Sequence, residues 1–386
     1  MPSQVLHTLF GEDVTAEIYR RMAPRMGIAA DRALEKIQVS YRKAFALGCQ
    51  GPDIFYHSQK RRPVGLEYGT LLHRRGSGIF TSGLLKMGLP GPSIRTRKGQ
   101  AQRSPGLNID SSLPEMEINT LGVYALGFMT HAILDRLTHP FIVYKSGSYS
   151  PSRTGTPRFS GFHAFFERII DVLMLKHLRG IEISSWDQEG LLAETCEIPP
   201  IGLRVLLVSA LILAFPERAG KDEKLSRRVD NTFLDCAAFY YLTAPVNTTR
   251  QNLSSAPSVR REHLPYIFPE ELPAHIDFLN LEHRPWYYPA GEEKEDIRSF
   301  PEIYAGAVDA AADTLSGIIG RYLEEGFFPI KEAAQAIGNG GLSIVDEAGF
   351  PCAPTRTDPL PLDEVLEQQA RLRGLGTKEN KMGNEG

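Results

Sequence analysis

His131, Asp135 and His139 stand four residues apart in "GFMTHAILDRLTHPF" (127–141), a segment otherwise rich in Phe, Met, Ile and Leu. On a helix, residues at this spacing share a face. Polar groups in such greasy surroundings are costly to bury unless each finds a partner. Two kinds of partner are open: ordinary hydrogen bonds, or a metal ion. The same device recurs downstream, where His163 and Glu167 are four apart in "FHAFFERII" (162–170). Imidazole nitrogen combined with carboxylate oxygen suits zinc. His139 lies one turn beyond Asp135, displaced around the axis, and can serve a neighbouring ion.

Further donors lie upstream. "GCQGPDIFYH" (48–57) sets Asp53 after Gly51-Pro52, in a turn that can aim its carboxylate inward. His57 follows four residues later, His73 sits in "GTLLHRR", and His7 stands in "QVLHTLFG". Each taken alone reads first as a structural residue. Together they supply nitrogen and oxygen for two or three ions. The aromatics of "IFY" (54–56) and "HRPWYYP" (283–289) either wall a pocket beside such ions or fill the core. No convincing GxSxG or Cys/His nucleophile signature is present.

The elements that must position these groups read as helices. Apolar residues at helical spacing predict helices over 31–48 (stopped by Gly48), 112–139 (Ser112 as cap, ended by Pro140) and 160–180 (Ser160 as cap, ended by Gly180). Others are expected near 187–195, 201–215, 222–241, 301–324 and 328–337. Strand patterns are few and short, so the expected fold class is all-α. One helical domain over 1–345 is expected, followed by a disordered tail over 346–386, Pro-rich and then charged. "GLPGPSIRTRKGQAQRSPG" (88–106) reads as a surface loop with solvated charges.

The 386 residues can bury a large core, and 42% hydrophobic with 23% charged residues is ordinary globular composition. A net charge of -3 gives no global pull toward nucleic acid or anionic lipid, and no stable nucleic-acid partner is expected. The four cysteines show no CxxC pairing and read as reduced thiols. The opening "MPSQVLHTLFGEDV" lacks a basic stretch followed by an apolar run, so no secretory signal is expected and a cytoplasmic setting is. "IGLRVLLVSALILAF" (201–215) is too short to span a bilayer, carries Arg204, and reads as a buried core helix.

In their order, "HTLFGEDV", "LGCQGPDIFY", "LLH", "GFMTHAILDRLTHPF" and "FHAFFERIID" resemble the bacterial zinc-dependent phospholipase C family, an all-helical trinuclear zinc fold. The likeness is to a branch of uncharacterised proteins opening "MP…H..FG". It covers roughly residues 1–180 and, more loosely, "FLNLEHRPWYYP" (278–289). The resemblance implies that Asp53, His73, His131 and Asp135 hold one zinc, that His139, His163 and Glu167 hold a second, and that His7 holds a third bridged by Asp135. Asp53 is also the implied general base, and His57 is the alternative to His73. The family's N-terminal Trp, which chelates the third zinc, has no counterpart here, and the Asp135-to-His139 interval is shorter than in the secreted enzymes.

The function so implied is zinc-dependent hydrolysis of a phosphodiester, foremost a phospholipid head group, with transient contact to a membrane surface. The same donors would also serve a zinc-dependent nuclease or nucleotide phosphodiesterase. They would serve equally a non-catalytic helical protein with a structural ion.

Overall fold

The computed structural model describes residues 3–26, 34–89, 94–95, 101–102, 115–149, 156–248, 259–291, 294–325 and 330–375. The fold is all-α in character. Its main helices are α1 (Gln4–Met26), α2 (Arg42–Cys49), α3 (Leu66–Arg74), α4 (Ser77–Gly88), α5 (Glu115–Ser146) and α6 (Phe162–Arg179). They continue as α7 (Leu203–Ala214), α8 (Leu225–Thr243), α9 (Phe300–Glu325), α10 (Ile330–Ile337) and α11 (Leu362–Leu372). The described strands are two-residue pairs, Ile94–Arg95 with Ala101–Gln102 and Trp286–Tyr287 with Glu295–Asp296, both antiparallel. The rest of the expected surface loop at 88–106, beyond Leu89, lies outside the described residues.

α5 is the axis of the molecule and packs against α1, α2, α4, α6 and α9. From Leu121 to Ser146 it is buried on nearly every side, with Leu137 its exposed large apolar residue. A helix apolar all round belongs inside. α2 approaches it through glycines: a Cβ on Gly48 would fall on the Tyr124 carbonyl oxygen, and one on Gly127 on the Phe45 carbonyl oxygen. Gly48 is therefore a packing residue inside α2, not the helix stop that its position suggested. One contiguous core runs from Val5 in α1 to Val365 in α11.

Several expectations need correction. α5 does not end before Pro140 but continues to Ser146. The proline forfeits the bond to the Arg136 carbonyl, yet Phe141, Ile142 and Tyr144 beyond it are buried, and their packing keeps the chain helical. The 31–48 segment is a π-turn (Lys36–Ser40) followed by α2, broken at Tyr41 (φ −119, ψ 17). Residues 31–33 lie outside the described residues. α6 is capped by left-handed Gly161 without a side-chain bond from Ser160, and ends at left-handed Gly180 as expected. α7 buries Leu203, Leu206, Leu207, Ala210 and Leu211 but exposes Val205, Ile212 and Leu213, so it is a one-sided helix and not a fully buried one.

The expected disordered tail is also corrected for residues 346–375. "LDEVLEQQARL" has helical spacing that buries Leu362, Val365 and Ala370. Gln369 clamps Glu270, accepting its N–H at 2.8 Å and donating to its carbonyl at 2.6 Å. Ahead of α11, Asp358 and Leu360 donate backbone bonds to the carbonyls of Tyr144 and Lys145 at the end of α5. Residues 376–386 lie outside the described residues. Among the described residues, no helix is long and apolar enough to cross a membrane.

Candidate metal centre

α1, absent from the sequence expectations, is what brings His7 inward. The first N–H groups of a helix lack internal partners. Asp171 of α6 supplies them: its carboxylate accepts from Gln4 N at 3.0 Å, from Leu6 N at 2.8 Å, and from the Ser3 hydroxyl. This fully buried cap, itself paired with Arg168, fixes α1 against α6 one turn from Glu167. His7, in the following turn, then faces α5. The sequence signal for it was slight: a Ser three residues into the chain and an Asp 168 positions away.

Asp53 is carried by a 3-10 turn (Gly51–His57) between α2 and α3. Gly51 there is left-handed (φ +56), and a Cβ on it would strike the His131 ring. Glycine thus meets two needs: the backbone conformation, and the close approach that holds the imidazole.

The imidazoles are oriented from behind. His73 Nδ1 lies 2.7 Å from the Gly69 carbonyl oxygen, His131 Nδ1 3.3 Å from that of Cys49, and His139 Nδ1 2.9 Å from that of Leu342. A ring whose Nδ1–H is donated to a carbonyl turns an Nε2 lone pair forward, as metal-binding histidines do. Those Nε2 atoms face carboxylates. His73 Nε2 is 2.9 Å from Asp53 Oδ1, and His131 Nε2 is 3.0 Å from Asp135 Oδ2. His7 Nε2 is 3.3 Å from Asp135 Oδ1. His139 Nε2 and His163 Nε2 lie 3.4 Å and 3.3 Å from the same Glu167 oxygen.

Among the described residues, three groups of donors are close enough to hold metal ions: His7, His131 and Asp135; Asp53, His73 and His131; and His139, His163 and Glu167. The third is the triad expected from the sequence. The expected quartet of Asp53, His73, His131 and Asp135 is instead divided, with His7 joining His131 and Asp135. Asp53 and Asp135 still reach across, at 3.7 Å from His131 and 3.8 Å from His73. One Nε2 lone pair serves one ion, so the two groups that share His131 do not both claim it. His57 joins none of the groups. It is buried, stacked on Phe239 at 3.9 Å, and burial drives its pKa down to about 3.

The electrostatics agree with a donor set of anionic carboxylates. Burial opposes ionisation of all three. The His131 charge holds Asp53 below the usual range and Asp135 well below it, and His163 does the same for Glu167. Burial keeps His131 and His163 below 6.5. Burial also opposes protonation of His139, but Asp135 and Glu167 outweigh it and raise the pKa to about 9.

Of the donors, Asp53, His73, His139, His163 and Glu167 line a cleft of about 350 Å³. Tyr56, Gln59 and Ser343 complete its walls: Tyr56 is the "IFY" aromatic that does wall the pocket, whereas Gln59 and Ser343 carried no sequence signal. Ser343 comes from the distant loop after α10, which no local spacing reveals. Tyr56 covers the His73 ring at 4.6 Å. The "HRPWYYP" aromatics do not reach the cleft: Trp286 packs on Phe141, and Tyr287 stacks under Arg356. Comparison with known proteins finds no matching family model, no similar curated protein and no similar solved structure.

Proposed function

We propose that this protein is a zinc-dependent phosphodiester hydrolase that cleaves a phospholipid at its head group, in the manner of a phospholipase C. One observation carries the reading. His131 Nε2 and Asp135 Oδ2 are buried 3.0 Å apart and neither has a hydrogen-bond partner. Buried polar atoms left this way are rare and costly. Two donors that converge without bonding each other leave a place for a cation between them.

The residues fit zinc: imidazole ring nitrogens, ionised carboxylates, and a cleft that Asp53, His73, His139, His163 and Glu167 line. His139, His163 and Glu167 would hold one ion. His7, His131 and Asp135 would hold another. Asp53 and His73 would complete a third site or extend the second, which gives two or three ions in all. Bound zinc supplies Lewis acidity, which offsets phosphate charge and lowers the pKa of a water.

The chain itself supplies position and proton transfer. Asp53 Oδ1 is engaged by His73, which leaves Oδ2 to accept the proton of the attacking water. Tyr56, Gln59 and Ser343 border the cleft where the phosphate would lie and would shape its position there. Water attacks phosphorus, the phosphorus–oxygen bond to the glycerol breaks, and the leaving oxygen takes up a proton.

The test is incubation of the full chain with phospholipid vesicles, with and without chelator. Release of a phosphorylated head group together with diacylglycerol, abolished by chelation, is expected. Nucleotide release from single-stranded nucleic acid without head-group release would select the nuclease reading. Retained zinc with no diester hydrolysed would leave a structural metal protein.

A further inference from the structure

The cleft continues beyond the donors. It shares Tyr56, His73, His163 and Ser343 with a second compartment of about 430 Å³. That compartment shares Arg74, Pro351 and Cys352 with a third, of about 1030 Å³. Among the described residues, the walls of these two outer compartments carry Arg74 and Arg75 and no carboxylate. Nearby arginines differ: Arg218 is paired with Glu67, and Arg228 with Asp222 at 2.8 Å. Arg74 and Arg75 have no ion pair among the described residues.

Among the described residues, the groove thus joins two guanidinium groups with no ion pair to walls that hold no carboxylate, in a chain of net charge -3. Such a groove focuses positive potential at the cleft mouth. Arg74 is also firmly based. It follows His73 in the last turn of α3, where the His73 carbonyl accepts Leu342 N at 2.9 Å and Gly76 N donates to Asn339 O at 3.1 Å. The guanidinium fork matches phosphate oxygens in pairs. A cationic head group in the same compartment would meet like charge.

We propose that Arg74, with Arg75 behind it, selects lipid diesters whose head group carries a second phosphate. This rests on the phosphodiester hydrolase reading and assigns its substrate class. The scissile diester lies at the donors, and the second phosphate reaches the groove at Arg74. Arg74 is a specificity residue here and takes no part in the proton transfer.

Equilibrium binding to the full zinc-supplemented chain tests this, with no turnover needed. The probes are glycerophosphoinositol 4-phosphate, glycerophosphocholine and a 5′-phosphorylated thymidine dinucleotide. The inositol phosphate is expected to bind at least about tenfold tighter than the choline compound, the difference one charge-assisted hydrogen bond makes. Arg74→Gln is expected to erase that preference while leaving glycerophosphocholine binding and Tm unchanged, and Arg74→Lys to restore part of it. Equal binding of the two glycerol diesters by the unaltered chain, or an unchanged preference in Arg74→Gln, would overturn the inference and leave the hydrolase reading standing. Tightest binding of the dinucleotide would overturn the lipid assignment. Binding of none of the three would remove the hydrolase reading and this inference with it.

Discussion

His131 Nε2 and Asp135 Oδ2, one helical turn apart on α5, approach to 3.0 Å without forming a hydrogen bond. His7 from α1 meets the other oxygen of the same carboxylate at 3.3 Å. Asp135 therefore joins two helices through atoms whose lone pairs face a common space. Asp135→Asn keeps the shape and removes the charge. It is expected to lose both bound metal and hydrolysis, as judged by elemental analysis and head-group release on the same preparation. Retention of both would make Asp135 a structural residue.

His57 and His73 are expected to behave oppositely. His57 packs against Phe239 with its ring uncharged, whereas His73 turns Nε2 onto Asp53. His57→Phe is expected to keep its metal and to cost less than about 1.5 kcal/mol, as near-isosteric core changes do. His73→Ala is expected to lose metal. Loss of zinc in His57→Phe, measured against the unaltered chain, would reverse the assignment.

Removing metal should expose a pH dependence set by His139. Its folded pKa is raised from 6.5 to about 9, against burial, by Asp135 and Glu167, and His7 is raised in the same sense by Asp135. A raised folded pKa stabilises fully below 6.5, and that contribution is lost as pH climbs through about 9. His131 and His163, which are lowered, act only below this window. The Tm of chelator-treated protein is expected to fall between pH 6.5 and 9. Zinc displaces the protons, so the loaded protein is not expected to share that fall. A flat or rising Tm in the stripped protein would contradict the charge assignment.

Two distant positions separate packing from surface charge. Leu362 is fully buried in α11, and Leu362→Ala is expected to cost about 2–5 kcal/mol by chemical denaturation. Lys43 pairs with Glu194 at 2.8 Å on the open surface. Lys43→Ala is expected to change stability by less than about 1 kcal/mol. A small loss at Leu362 would mean that α11 is loosely docked.

What could be read from the sequence followed the range of the physics. The pairs His131 with Asp135 and His163 with Glu167 lie within one helical turn, so the period alone puts each on a face. The meeting of His7 with Asp135 depends on a buried Asp171 cap 165 positions from Leu6, which no local spacing encodes. Pro140 and Gly48 misled because their intrinsic preferences gave way to packing, around α5 in one case and against Tyr124 in the other. The periodicity of α11 was present in the sequence, but the prolines before it and the charges after it masked it. Ser343 and the Leu342 carbonyl come from a loop whose only tie to the site is tertiary.

The most direct measurement is the zinc content of the full chain, purified without added chelator. With His7, His131 and Asp135 converging apart from His139, His163 and Glu167, about two to three equivalents are expected. Less than about one equivalent, in protein that is folded and stays so after zinc is supplied, would contradict the account, because buried imidazoles and carboxylates would then be stable together without an ion.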